Sequence, residues 1–251
     1  MIVQVMSDLH LGRGSEPVPP LADGAELVVV AGDTCEGLVV AVEALRAAFP
    51  GVEIAMVAGN HEFYGHVWRD ELAAGRERAR ALGVHLLENE TARFRTLRVI
   101  GATFWTDYLL FGPSLRQPAM RSAYEQMRDH KRIRWNRDPW ARFRPQEALS
   151  LHVQSRNYFE AELARPHDGV TMLLAHHGIA IEALDPAHER SLLAAAYTSE
   201  IPFATGADLV VTGHTHRPLD FRRGRTRYVS NPRGYPGEGV RFNPSFLIEV
   251  P

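Results

Sequence analysis

The chain has 251 residues, a formal net charge of −2 at pH 7, and 45% hydrophobic and 23% charged residues. These proportions are ordinary for a globular protein and exclude the disordered and fibrous classes. The length suits a single large α/β domain with a substantial core. The nearly neutral total gives no general attraction to nucleic acid or to anionic membranes.

Cysteine usage and the first residues of the chain bear on location. Cys35 is the one cysteine, so no intrachain disulfide can form and an oxidising compartment is not implied. The first strand-like residues carry none of the charged and apolar regions of a signal peptide, and no apolar run reaches the roughly 18–20 residues of a membrane span. We therefore predict a cytoplasmic protein with no membrane partner.

Short apolar runs that end in polar residues recur along the chain and predict buried strands at 2–6, 27–31, 54–58, 170–175 and 209–212. Helix-like stretches lie between several of them, at 36–49, 67–82 and 145–163. Strands that alternate with helices predict a largely parallel sheet covered by helices. Extended strands with tight turns are predicted at 93–105, 219–231 and 245–250.

An irregular segment at residues 112–144 interrupts this pattern and is typical of an inserted cap. It holds nine basic residues against three acidic ones, with Trp135, Trp140 and Phe143 interleaved. Guanidinium groups bind phosphate with paired hydrogen bonds and aromatic rings stack on bases, which favours a cap that faces a phosphate or a nucleotide. A solvated helical lid, or a contact between subunits, is the alternative for an arginine-rich protein.

Polar side chains follow the predicted strands at their carboxyl ends. Because these ends meet at one edge of a parallel sheet, we expect the side chains to converge there. Carboxylate, amide and imidazole groups suit Mn, Fe, Zn, Ni or Co, and one carboxylate can bridge two such ions. The side chains are those of Asp8, His10, Asp33, Asn60, His61, His176, His214 and His216.

Each of these short motifs is weak evidence alone: Gly-Asp is common in turns and Asp-x-His is usually part of a loop, whereas Gly-Asn-His-Glu and Gly-His-Thr-His are more specific. Five such motifs in this order, each at a strand end, are hard to explain by chance. Together the motifs resemble the calcineurin-like metallophosphoesterase superfamily, which has Asp-x-His, Gly-Asp, Gly-Asn-His, His and Gly-His-x-His. They stand here at 8–10, 32–33, 59–61, 176 and 213–216. The resemblance implies a four-layer α-β-β-α sandwich of two mixed sheets flanked by helices, in one domain over residues 1–251.

The resemblance also implies two bound divalent metal ions, and manganese is the favoured metal. One ion would be bound by Asp8, His10 and His216. The other would be bound by Asn60, His176 and His214, and the carboxylate of Asp33 would bridge the two.

Two further positions, His177 and Asp107, are weighed beside these ligands. His176 and His177 are adjacent, so a strand would direct their side chains to opposite faces. We assign the ligand to His176 because it lies nearer the strand end, and the reverse assignment stays open. His177 would then face the substrate or lie behind the ligands. Asp107 follows another strand-like run and is predicted at the rim of the site, in reach of substrate.

Two cations about 3.5–4 Å apart can share and acidify a water and hold it in line with a bound phosphorus. In such enzymes His61 would act near the leaving group and protonate the departing alkoxide. Related phosphatases place an acid three residues beyond the bridging aspartate, and Glu36 occupies that position here. It would raise the pKa of His61, or it would be a carboxylate favoured at the start of a helix.

The predicted function is hydrolysis of a small phosphomonoester or phosphodiester, with nucleotide-like molecules among the candidates. Ser/Thr protein phosphatases continue Gly-Asp with an arginine-containing element that Thr34-Cys35-Glu36 lacks, so a protein substrate is disfavoured. A nuclease acting on DNA or RNA is the alternative, favoured by the basic cap and disfavoured by the neutral total. A non-catalytic scaffold should lack a ligand or the catalytic histidine, and none is missing.

Overall fold

The structure is a computed structural model that describes residues 1–12 and 14–251, except for the side chain of residue 187. Its strands are β1 (Ile2–Met6), β2 (Leu27–Ala31), β3 (Glu53–Val57), β4 (His85–Leu86), β5 (Glu90–Phe94), β6 (Leu97–Ala102), β7 (Arg134–Asn136), β8 (Ala141–Arg142), β9 (Val170–Ala175), β10 (Leu209–Thr212), β11 (Leu219–Arg223), β12 (Thr226–Ser230) and β13 (Leu247–Glu249).

The α-helices of this part of the chain are α1 (Leu38–Ala48), α2 (Trp68–Leu82), α3 (Arg116–Gln126), α4 (Asp129–Arg132) and α5 (Pro145–Leu163). Short 3₁₀ helices lie at His61–Phe63, Pro113–Leu115, Ile181–Ala183, Pro186–His188, Leu192–Ala196 and Pro202–Gly206. Among the residues described, no helix combines the length and the apolar character that crossing a membrane requires.

Two mixed sheets form the centre of the molecule. In the first, the strand order is β13-β1-β2-β3-β4, and only β13 runs antiparallel to its neighbour. In the second, the order is β11-β12-β10-β9-β6-β5, with four parallel strands between antiparallel outer strands. The parallel strands of each sheet therefore end together, which is the condition for gathering the polar residues that follow them.

Side chains on the two faces of the sheets define four layers. Val29 of β2 lies in the core between the sheets, whereas Val28 faces the core under α1 and α2. On the far side of the second sheet, Phe159 of α5 packs against Ile100 and Leu173. A strand buried on both faces must be apolar at every position, as β2 is. The predicted sandwich of two mixed sheets flanked by helices is confirmed.

Residues 112–144, here called the cap segment, contain α3, α4 and the hairpin of β7 and β8. The apolar side chains of Met120, Ile133 and Phe143 are buried in the same core as α1 and α2. The cap segment is therefore packed onto the helical layer beside the first sheet, close to the carboxyl ends of its strands.

The layer between α5 and the second sheet gives a stability prediction. Phe159 is fully buried, whereas Val153 on the same helix is 47% exposed. Phe159→Ala should lower the free energy of unfolding by about 3–5 kcal/mol because it leaves a cavity, and Val153→Ala should change it by about 0.5 kcal/mol at most. Urea unfolding of both variants measures the difference. Equal effects would contradict the layer assignment.

Candidate active site

The predicted ligands lie at the carboxyl edge of both sheets. They follow five different strands: Asp8 and His10 follow β1, Asp33 follows β2, Asn60 follows β3, His176 follows β9, and His214 and His216 follow β10. The isolated parallel pairing of Leu11 with Cys35 continues the strand alignment past these residues. The edge is thus built from parts of the chain up to 208 residues apart, as the positions 8 and 216 show.

The backbone at this edge is strained. Five of the predicted ligands have positive φ, between 46° and 67°, and these are Asp8, His10, Asp33, His214 and His216. Positive φ is uncommon outside glycine, costs roughly 1–3 kcal/mol per residue, and tends to occur at functional sites. The concentration of this strain on the predicted ligands marks the edge as a site.

Glycines let the strand ends approach one another. A Cβ on Gly32 would lie 2.6 Å from Nδ1 of His176, and a Cβ on Gly213 would lie 2.7 Å from Oδ2 of Asp8. Real Cβ atoms do not come so close to other heavy atoms. The glycines that precede Asp33 and His214 are therefore required by the packing of the site itself.

One group of side chains gathers Asp8, His10 and His216, whose ligand atoms all lie within 4.8 Å of one another. Nε2 of His216 lies 3.0 Å from Nε2 of His10 and 3.5 Å from Oδ1 of Asp8. Nδ1 of His216 lies 2.7 Å from Oε2 of Glu238. If Nδ1 donates to that carboxylate, Nε2 presents its lone pair to the group, the usual arrangement of a metal-binding histidine.

A second group gathers Asp33, His176 and His214. Nε2 of His176 lies 3.2 Å from Nδ1 of His214 and 3.5 Å from Oδ1 of Asp33. It also lies 2.9 Å from Oδ1 of Asn60. Nδ1 of His176 is 2.8 Å from the carbonyl oxygen of Ala31, to which it donates.

The carboxylate of Asp33 lies between the two groups. Oδ2 is 3.9 Å from Nε2 of His10, while Oδ1 is 3.5 Å from Nε2 of His176. The same Oδ2 is 3.8 Å from Nε2 of His61, and a third group of possible ligands consists of His10, Asp33 and His61. Each carboxylate oxygen thus faces a different set of imidazoles.

The amide of Asn60 shows that these donors fit metal ions. Its Nδ2 donates to Oδ1 of Asp129 at 2.8 Å and to the hydroxyl of Tyr64 at 3.0 Å, so its Oδ1 faces His176. Burial lowers the pKa of His176, which favours a lone pair on Nε2. Two acceptors 2.9 Å apart repel unless a cation lies between them, and ligands about 2.1 Å from a cation are about 3.0–3.4 Å apart.

The negative charges of the site also favour the binding of metal ions. Burial raises the pKa of Asp33 well above its usual range, and the negative charges of Glu62 and Asp8 raise it further. A buried carboxylate in such company is costly to ionise unless positive charge is supplied. Divalent cations on either side of Asp33 would supply it.

Glu62, a buried carboxylate to which the sequence analysis gave no role, holds together the residues that follow β2 and β3. Oε2 of Glu62 accepts hydrogen bonds from the amides of Asp33 at 3.0 Å and Gly59 at 2.8 Å, and Oε1 accepts one from Thr34 at 2.6 Å. Glu62 stands directly after His61 in the Gly-Asn-His-Glu sequence, so the motif carried a signal for it.

Three other contributors were missed, and no motif marks them. Asp129 of the cap segment receives hydrogen bonds from Asn60 and Tyr64, and Glu238 contacts His216. The hydroxyl of Tyr235 lies 3.0 Å from Nε2 of His61, and its ring stacks on that of His10 with centroids 4.3 Å apart. These contacts join residues far apart in the sequence.

A cavity of about 700 Å³ opens beside the two ligand groups. Its floor is formed by Asp33, Asn60, His61, His214 and His216. The cap segment forms one wall through Gln126, Met127 and Arg128, and residues 184–197 contribute another. Tyr235 and Glu238 also line it. The cavity is large enough for a small organic phosphate ester.

Of the four predicted catalytic and substrate-binding residues, His61 lines this cavity, whereas His177, Asp107 and Glu36 do not. His177 is 1% exposed, and its ring packs against that of His214 with centroids 4.2 Å apart. It therefore lies behind the ligands, the second of its two predicted positions. Asp107 is buried, accepts a hydrogen bond from Oγ of Ser199 at 3.0 Å, and is not brought to the substrate side.

Glu36 is held by the cap segment. Its carboxylate accepts two hydrogen bonds from the guanidinium of Arg132, at 2.6 Å and 2.8 Å. This ion pair ties Glu36, the third residue after the Gly-Asp motif, to α4. The pairing of Glu36 with His61 stays a prediction that these two hydrogen bonds do not favour.

The chain belongs to the calcineurin-like phosphoesterase family, because the profile of that family matches residues 3–218. It is accordingly a metal-dependent phosphoric ester hydrolase. The resemblance seen in the sequence motifs is thereby confirmed. The match ends before Tyr235 and Glu238, so the loop that carries them lies outside the shared family region.

Among solved structures, the phosphopantetheinyl hydrolase of Mycobacterium tuberculosis aligns with a TM-score of 0.65 and 18% identity, over 93% of this chain and 89% of that one. A proposed 5′-nucleotidase from Staphylococcus aureus, solved with α-ketoglutarate, gives a TM-score of 0.47 and 15% identity, over 93% of this chain and 49% of that one. A search of curated proteins returns no significant match. At 18% identity the likeness to the phosphopantetheinyl hydrolase shows the fold alone.

The contact between Glu238 and His216 yields a prediction about metal binding. Glu238→Ala should weaken binding of one divalent ion by about 10–100-fold and leave the other unchanged, because the imidazole of His216 loses its orienting acceptor. Isothermal titration of the metal-free protein with manganese measures both affinities. Glu43→Ala, which removes an exposed ion pair with Arg78, is the control. Equal weakening of both ions would contradict the assignment.

Proposed function

We propose that the protein hydrolyses a small phosphomonoester or phosphodiester whose phosphorus binds beside Asp33 at the floor of the cavity. The observation that carries this proposal is the position of Asp33 between two groups of metal-type ligands, in each of which the ligand atoms lie within 4.8 Å of one another. Both groups open onto the cavity through His214 and His216. A phosphate ester is the substrate that two adjacent divalent cations are suited to bind.

The proposed ligands of one ion are Asp8, His10 and His216, and those of the other are Asn60, His176 and His214, with Asp33 between them. When bound, the two cations would acidify a water and neutralise charge on the phosphoryl oxygens. The mixture of carboxylate, amide and imidazole donors supports manganese as the proposed metal. Asp129 and Glu238 would keep the amide of Asn60 and the ring of His216 in their binding orientations.

His61 is proposed as the acid that protonates the leaving oxygen. It lines the cavity, its backbone amide donates to Oδ1 of Asp33 at 2.9 Å, and its ring packs on that of Tyr64 with centroids 4.3 Å apart. These contacts fix the imidazole beside the proposed phosphate position. The hydroxyl of Tyr235, 3.0 Å from Nε2, is placed to exchange a hydrogen bond with the same nitrogen.

The ion pairs of the basic residues in the cap segment favour a hydrolase of small molecules over a nuclease. Several of them are paired with acids of this chain, including Arg121 with Glu125 and Arg137 with Asp70. Paired cations are less available for the phosphates of a long nucleic acid. The cytoplasmic location indicated by the lone cysteine stays a proposal.

The role of His61 is tested by His61→Ala. The variant should keep two bound metal ions and lose about 10²–10⁴-fold in turnover of alkyl phosphates, which need a proton on the leaving oxygen. Turnover of p-nitrophenyl phosphate should fall much less because its leaving group is stable as an anion. Metal analysis and both rates are measured together. Loss of one metal would instead make His61 a ligand, in line with its place beside His10 and Asp33.

The substrate class is tested by a screen of the manganese-reconstituted protein. Aryl phosphate monoesters, aryl phosphate diesters, nucleotides, cyclic nucleotides and an oligonucleotide are compared. We expect turnover of small esters that is abolished by a chelator and restored by manganese. Cleavage of the oligonucleotide alone, with binding that falls steeply as salt rises, would establish the nuclease instead.

A further inference from the structure

The basic residues of the cap segment differ in whether their side chains contact other residues of the chain. Seven of its nine basic side chains contact a described partner in the chain. They are Arg116, Arg121, Arg132, Arg134, Arg137, Arg142 and Arg144, whose partners are Asp107, Glu125, Glu36, Gly65, Asp70, Trp140 and Glu147, respectively. Lys131 and Arg128 have no such partner among the residues described.

Of these two, Arg128 lines the cavity and Lys131 does not. The side chain of Arg128 is exposed, and it lies in the same cavity as Asn60, His214 and His216. Arg128 lines the cavity and has no acid partner among the described residues. Its guanidinium is therefore available for an anionic ligand, which it can bind with two hydrogen bonds.

The backbone on either side of Arg128 is anchored. Met127 is 8% exposed and its amide donates to the carbonyl of Ala123 at 2.8 Å. Asp129 is buried and bonded to Asn60 and Tyr64. Because consecutive Cα atoms are about 3.8 Å apart, Arg128 starts one residue from the carboxylate that orients a proposed metal ligand. Its side chain therefore extends from a fixed point on the cavity wall.

The rest of the cavity is divided between apolar and polar surface. Met127 on the cap wall and Leu184, Leu193 and Ala194 on the wall formed by residues 184–197 provide an apolar section. His188 and Ser191 add polar groups to the latter wall, together with the acid Asp185. A volume of about 700 Å³ exceeds what a lone phosphate needs, so it has room for an ester with a sizeable organic part.

We propose that Arg128 binds a second anionic group of the substrate, a phosphate or carboxylate carried on the leaving part of the ester and separated from the scissile phosphate by an apolar spacer. This inference rests on the proposed function, since it assumes that the scissile phosphate lies beside Asp33. The cations there would already neutralise the first phosphate. The guanidinium of Arg128, which has no acid partner in the part of the chain that the structure describes, would recognise the second anion.

The test uses three matched esters built on 1,6-hexanediol, prepared in whichever ester class the substrate screen identifies. One carries a second phosphate, one ends in the neutral hydroxyl, and one has an ammonium group in its place. For the wild-type protein, kcat/KM should be highest for the ester with the second phosphate. Arg128→Ala should lower that value about tenfold or more, mainly through KM, because a charge-assisted pair is lost. The value for the neutral ester should stay within about twofold.

Two further variants sharpen the result. Arg128→Lys should recover part of the loss, since it keeps the charge but loses the paired hydrogen bonds. Arg121→Ala, which removes a cation paired with Glu125 on the outside of the cap segment, should behave as wild type. Thermal unfolding of each variant checks that the fold is intact.

The outcomes separate this inference from the proposed function. Turnover of aryl esters with no effect of Arg128→Ala on the preference between the three esters would overturn the role of Arg128 alone. Equal loss for the neutral and doubly charged esters would place Arg128 on the scissile phosphate and also overturn it. Preference for the ammonium ester would assign the subsite to Asp185 instead. Failure to hydrolyse any phosphate ester would overturn the proposed function itself.

Discussion

The structure depends on one buried carboxylate, that of Asp33, held where the two sheets meet. Its burial beside Glu62 and Asp8 raises its pKa, so an ionised Asp33 needs compensating positive charge nearby. The amides tied together by Glu62 fix the loop that carries it. The positive φ of Asp33 and the glycines around it follow from the same demand for close approach. The backbone strain at the sheet edge therefore occurs where charged side chains are brought close together.

The contacts that support this edge come from parts of the chain that carry no family motif. The cap segment supplies Asp129 to the amide of Asn60. The loop after β12 supplies Tyr235 and Glu238 to two histidines, and it is docked by the amide of Gly234, which donates to the carbonyl of Asp8 at 3.1 Å. Sequence motifs mark the proposed ligands, while their orientation also depends on Asp129 of the cap segment and on Tyr235 and Glu238. The last two lie beyond the family match, which ends at residue 218.

The elements that were predicted correctly from the sequence are those whose signals are local. The apolar run of β2 and the whole of α5 were predicted with the bounds observed, because buried strands and long helices leave clear patterns. The two-residue strand β4 was missed because so short a strand leaves no periodicity. The partners of Asp129 and Glu238 could not be predicted, since a lone carboxylate outside any motif looks the same in the sequence whether it faces solvent or a ligand. The burial of Asp107 was missed for the same reason.

The most direct test of the central claim is anomalous diffraction from crystals of the protein grown with manganese. The account predicts two anomalous peaks, one on each side of the Asp33 carboxylate. The first should lie among Asp8, His10 and His216, and the second among Asn60, His176 and His214. A single peak, or two peaks that leave Asp33 outside the space between them, would contradict the account.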